Sequence, residues 1–254
     1  MVDELLEENG PFTWKTYELY LKAALASGYR FISFAEFFDQ TTFPSSPFIL
    51  LRHDIDYDPL WALFIGRLEA EHGVRSTYFF QRGSPFYQFE SAETMAIVEE
   101  LLRKGHWLGL HFDATRIVED NEVIERVDRI ADELQGMFGS AITAVSFHMP
   151  TYRSVKHLRL RNNRINTYGP LFFEKIEYIS DSNQDWRGKD VLQVLRDGTI
   201  PRIQLLIHPI WWRERYMSLS EKIEELSAKL GLSVDEILTS EQRALIHHEN
   251  QNNE

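Results

Sequence analysis

The chain has 254 residues, 43% of them apolar, enough to bury the core of one large domain. Its formal net charge of -12 argues against a nucleic-acid binder, which needs clustered Lys and Arg to neutralise phosphates. The absence of cysteine excludes disulfide scaffolds, thiolate metal sites and cysteine nucleophiles, so any metal must be held by His, carboxylates or water.

The opening "MVDELLEENGPF" carries neither a basic segment nor a long apolar run, so it predicts no signal peptide and no membrane span, and a cytoplasmic location is the expectation. "TWKTYELYLKAALASG" predicts a helix ahead of the first strand. Strand-length apolar or β-branched runs follow at 48–54 (FILLRHD), 75–81 (RSTYFFQ), 107–113 (WLGLHFD), 142–148 (ITAVSFH), 175–181 (KIEYISD) and 203–209 (IQLLIHP), with a weaker one near "RINTYG". Between the first four lie amphipathic stretches. "PLWALFIGRLEAEHG" opens with Pro59 behind Asp58 as a cap and closes on Gly73; "SAETMAIVEELLRKG" runs from Ser91 to Gly105; "NEVIERVDRIADELQGMFG" puts Val123, Val127, Ile130 and Leu134 on one face. A late helix, "SLSEKIEELSAKLG", begins with a Ser218-x-x-Glu221 capping box, and the polar tail "HHENQNNE" follows. Apolar strands alternating with helices predict a parallel sheet covered on its outside, either a (β/α) barrel or a doubly wound sheet. One domain is expected, with 1–45 as an N-terminal helix and cap, 48–212 as the core and 217–254 as a C-terminal helix and tail.

The polar residues along these strands are not scattered. Asp54, His111, Asp113, His148, Asp181 and His208 each fall at or just past the C-terminal end of a predicted strand. In parallel α/β folds that edge carries the active site. Asp54 and Asp56 are two apart, so an extended chain points both the same way, and two like charges so close call for a cation or a shared proton. His53 alternates away from Asp54 towards the packing side, His106 reads as structural, and His72, His157, His247 and His248 read as surface residues.

"LRHDIDYD", "GHWLGLHFD", "VSFHMP", "YISDSNQDW" and "LLIHPIWW", in that order, resemble the five motifs of the polysaccharide deacetylase family, carbohydrate esterase family 4, in a divergent branch like those of O-antigen and surface-polysaccharide biosynthesis. The resemblance runs from about Phe48 to Trp212. It implies a distorted (β/α) barrel of about seven parallel strands, a divalent metal, usually zinc, and hydrolysis of an acetyl group from an N-acetylated sugar. Asp54 matches the family's general base, Asp56 its metal aspartate, His111 its first metal histidine and His208 the acid that protonates the leaving amine. Leu206 matches a residue lining the acetyl pocket, and Asp185 with Trp186 the fourth motif, for whose aspartate Asp181 is an equal candidate. Tyr152 and Trp186 are candidates for stacking on a sugar ring.

Two positions depart from the pattern. Thr115 stands four residues after His111, where the family has its second metal histidine, and His148 stands where the family has an arginine that pairs with the base. The third ligand is therefore assigned in the order His148, then Asp113, then a centre with two protein ligands and extra water. The resemblance implies a sugar substrate, expected to be a cytoplasmic precursor, and no nucleic-acid partner; nothing in the sequence sets an oligomeric state. The competing readings are a metal-dependent hydrolase of a non-sugar amide or cyclic imide on the same fold, and an inactive carbohydrate-binding relative.

Overall fold

Phe48–Ile55 is buried at every position, and the sheet is built around it. The computed structural model describes residues 10–38, 44–150, 154–238 and 242. In chain order the elements are α1 (Trp14–Ala26), β1 (Arg30–Phe31), α2 (Phe34–Phe38), β2 (Phe48–Ile55), α3 (Pro59–Glu71), β3 (Thr77–Gln81), α4 (Ala92–Arg103), β4 (Trp107–Asp113), α5 (Asp120–Phe138), β5 (Ala144–His148), β6 (Ile165–Asn166), α6 (Leu171–Glu174), β7 (Glu177–Ser180), α7 (Val191–Asp197), β8 (Arg202–Ile207), α8 (Leu219–Leu230) and α9 (Val234–Ile237). Short 3-10 turns at Ser182–Gln184 and Pro209–Trp211 follow β7 and β8.

All strand pairs are parallel, in the order β6-β5-β4-β3-β2-β8-β7, with β1 beside the start of β2. Seven strands thus curl into a barrel left open between β6 and β7, which decides between the two parallel architectures that the strand and helix alternation allows and matches the distorted (β/α) barrel that the family resemblance implies. The predicted caps form: Asp58 accepts from Leu60 N at 3.1 Å, Ser91 from Thr94 N at 3.2 Å, and Ser218 with Glu221 makes both bonds of a capping box. β7 and β8 end before the apolar runs do, so Asp181 and His208 lie just past them rather than within them.

The two faces of β2 have separate jobs. Phe48 and Leu50 point into the barrel, where Phe34 and Phe37 of α2 join Phe79, Ala144, Ile165 and Phe172 to plug its amino-terminal end with apolar side chains. Gly109 belongs to this plug by what it lacks, because a Cβ there would stand 2.5 Å from Phe79 Cδ1. The outward residues Ile49 and Leu51 pack under the helices with Tyr17, Leu21, Leu192 and Leu195.

His53 also points outward, as its alternation with Asp54 predicts. It meets Glu69 of α3, which is fully buried and receives Tyr17 Oη at 2.5 Å, His53 Nε2 at 2.7 Å, Ser76 Oγ at 2.6 Å and Tyr78 Oη at 2.7 Å. Burial alone would favour the neutral acid, but the His53 charge and hydrogen bond, aided by His106 and Ser76, hold the Glu69 carboxyl down at about 2. His106 is structural, as expected, with its Nε2 2.9 Å from the Gly66 carbonyl oxygen.

Candidate metal and catalytic site

The barrel's interior row turns polar towards its carboxyl-terminal end. After Phe48 and Leu50 the same face of β2 presents Arg52 and Asp54, and Asp56 follows one residue past the strand. His111 comes from β4, Ser146 and His148 from β5, and His208 from the end of β8. Strands spread along the sequence thus deliver residues from their carboxyl-terminal parts to one place.

Asp56 Oδ1 lies 2.9 Å from His111 Nε2 and 3.0 Å from His148 Nδ1, and the two ring nitrogens are 3.2 Å apart. Ligand atoms held about 2.0–2.1 Å from a tetrahedral zinc ion stand about 3.3 Å from each other, so this set fits a divalent cation with little adjustment. The nitrogen and carboxylate donors also suit zinc chemistry. Among the described residues this is the single cluster of three such side chains able to hold a metal ion. The negative charge of Asp56 is held well below the usual carboxylate range: burial opposes ionisation, but His148 and His111 more than offset it.

Asp54 sits behind this cluster. Its Oδ2 accepts from Arg52 Nη2 at 2.8 Å and from Ser146 Oγ at 2.7 Å, while its buried Oδ1 has no hydrogen-bond partner. Burial works against its ionisation, but the Arg52 guanidinium, with His111 and His208, lowers its pKa. Arg52 is itself fully buried and further held by Thr167 Oγ1 at 2.6 Å and Tyr168 Oη at 2.8 Å. A buried carboxylate paired in this way stays ionised with one oxygen open.

His208 faces the cluster from the other side, its Nε2 3.7 Å from Asp56 Oδ2. Its Nδ1 lies 2.7 Å from Asp181 Oδ1, and the fully buried Asp181 also accepts from His208 N and from Trp212 Nε1 at 2.8 Å. Burial favours the neutral ring, but the Asp181 hydrogen bond and charge, with Asp56 and Asp54 behind them, raise His208 to about 9.

The remaining sequence candidates fall elsewhere. Leu206 is buried on β8, two residues below His208 on the interior row. Asp113 is exposed and accepts from Thr115 N and Oγ1 at 2.8 and 2.6 Å, which closes its own turn. Asp185 likewise accepts from Arg187 N in an exposed turn, so the aspartate that reaches His208 is Asp181. The Trp186 ring packs on Phe12, Tyr20 and Trp212, with centroids 5.7, 5.9 and 6.2 Å away. Tyr152 lies outside the described residues. Sequence reading missed Arg52 and Ser146, although the signal was present: each lies two residues before a site residue on the same strand, so period two puts it on the same face.

No protein-family model matches this chain, and no curated protein matches it. Solved structures do. The peptidoglycan deacetylase PdaC from Bacillus subtilis aligns with 16% identity and a TM-score of 0.45 over 83% of this chain and 99% of that one. The Streptococcus pyogenes deacetylase PplD in complex with acetate gives 13% and 0.45 over 83% and 85%, and the chitin deacetylase of the fungus Colletotrichum lindemuthianum 15% and 0.43 over 73% and 84%. The chemistry assigned to the site rests on this chain's own side chains.

Proposed function

We propose that this protein is a metal-dependent hydrolase that removes the acetyl group of an N-acetylated sugar, acting on a cytoplasmic precursor of a surface polysaccharide. The observation that carries this reading is the convergence of a three-donor cluster, Asp56, His111 and His148, between an ionised carboxylate with a free oxygen and a protonated histidine.

A divalent cation held there would polarise the acetamide carbonyl and make water a better nucleophile, with a pKa of about 7 in place of 15.7. Asp54, kept ionised by Arg52, accepts the proton of the attacking water at Oδ1. His208, its Nδ1 engaged by Asp181, donates from Nε2 to the sugar nitrogen as the carbon–nitrogen bond breaks. Base and acid flank one carbonyl, and the two environments push their pKa values apart, lower for the base and higher for the acid. The Asp56, His148 and His208 side chains are mostly buried, only 13%, 19% and 12% exposed.

Metal content of the purified protein, and acetate release from N-acetylhexosamine oligosaccharides, nucleotide sugars and lipid-linked sugars, test this reading. Activity on one of these with metal bound is the expected result. Activity confined to intact cell wall would overturn the precursor assignment, and metal binding without acetate release from any sugar would point to a non-sugar amide or cyclic imide. Failure to bind any divalent metal would leave only a carbohydrate-binding role. Asp54→Asn should abolish turnover while metal still binds, and loss of metal from that variant would mean that Asp54 is itself a ligand.

A further inference from the structure

Ser146 is fully buried on β5, two residues before His148. Three side chains meet at its hydroxyl: Asp54 Oδ2 at 2.7 Å, Arg52 Nη2 at 3.1 Å and His111 Nδ1 at 3.0 Å. A hydroxyl has one proton to give and two lone pairs. An ionised carboxylate only accepts, so the proton goes to Asp54; a guanidinium only donates, so one lone pair takes Arg52. The remaining lone pair has one partner in reach, an N–H on His111 Nδ1. That proton assignment leaves the His111 Nε2 lone pair facing Asp56 Oδ1 and His148 Nδ1.

We propose that Ser146 is a positioning residue whose single hydroxyl selects the metal-binding tautomer of His111 and ties that ring to Asp54, so that metal ligand and base are set in register by one group. The inference rests on the metal reading above and adds a coupling that the ligand set alone does not contain. Metal-ligating histidines depend on the acceptor that holds their second nitrogen, and loss of such an acceptor costs about 10–100-fold in metal affinity. In Ser146→Ala the His111 ring loses its acceptor, Asp54 keeps Arg52 alone, and the ring is free to carry its proton on Nε2, where it blocks the metal.

The decisive measurement is the tautomer of His111 in the metal-free protein, read by long-range proton–nitrogen NMR correlation on histidine-labelled material, with zinc affinity measured in parallel by competition with a chromophoric chelator. Wild type should carry the proton on Nδ1, and Ser146→Ala should shift it towards Nε2 and weaken zinc binding about 10–100-fold, with Ser146→Cys falling between them. A wild-type ring protonated on Nε2 alone, or a folded Ser146→Ala protein that binds zinc as tightly as wild type, would overturn the proposal. The wild-type tautomer decides the matter even if the alanine variant does not fold. An Nδ1 proton in a protein that binds no metal would instead sink the metal reading and leave the hold of Ser146 on His111 standing.

Discussion

A histidine that must give up a proton near neutral pH needs a pKa above the pH at which it works, and His208 owes that to one neighbour. Asp181 takes its Nδ1–H, accepts its backbone N–H and is locked by Trp212 Nε1, so the carboxylate cannot turn away. Because the raised form is the protonated one, the acid is in place below about 9 and is lost as the pH rises through that value. Asp181→Asn keeps an acceptor but removes the charge, so burial regains the upper hand. The alkaline limb of kcat/KM should move down by roughly 1–3 pH units. A pH–rate profile of the two proteins measures this, and an unmoved limb would show that His208 is not the acid. The pairing was half legible in sequence: Asp181 and Asp185 were equal candidates, and only the fold separates the buried one from the exposed turn.

At the scale of elements, β2 shows how much a two-residue period reveals. It placed Asp54 and Asp56 together and sent His53 the other way, as the structure has them. The same period puts Arg52 beside Asp54, a placement the sequence reading missed because an arginine gains a role there only once the interior is known to be polar at that height. Helices with caps and three or more turns were legible. α2, α6 and α9 were not, because four or five residues are too few to show a 3.6-residue repeat. Nor did the sequence mark Glu69 as the knot joining α1, α3, β2 and β3, since its donors Tyr17, His53, Ser76 and Tyr78 come from scattered positions. Its folded value of about 2 lies below the ordinary 4.5, so its contribution to stability is complete above about 4.5 and is lost as the pH falls through about 2. Glu69→Gln should therefore cost about 1–3 kcal/mol at neutral pH, with the gap to wild type closing over that acid window. Denaturant unfolding at a series of pH values checks it, and a gap independent of pH would assign the cost to packing.

At the scale of the whole molecule, alternating strands and helices made a covered parallel sheet legible but left a barrel and a doubly wound sheet equally open, and the meeting of β2 with β8 needed the fold. That topology has a thermodynamic consequence. Asp56, His111 and His148 come from the carboxyl-terminal parts of three strands separated by the three crossover helices α3, α4 and α5, and no unfolded chain gathers them. A cation that binds the folded protein alone stabilises it by mass action, about 2.7 kcal/mol when its free concentration is 100 times Kd. For a chain of this length each kcal/mol raises Tm by roughly 2–4 °C. Zinc should therefore raise the melting temperature of the metal-free protein by about 5–11 °C under those conditions, and a chelator should reverse the change. His148→Ala removes one donor and leaves the apolar plug at the far end of the barrel untouched, so that variant should melt near the metal-free wild type and respond little to zinc. Differential scanning fluorimetry separates the outcomes: a shift retained in full by His148→Ala would remove His148 from the ligand set and return the third position to Asp113 or water.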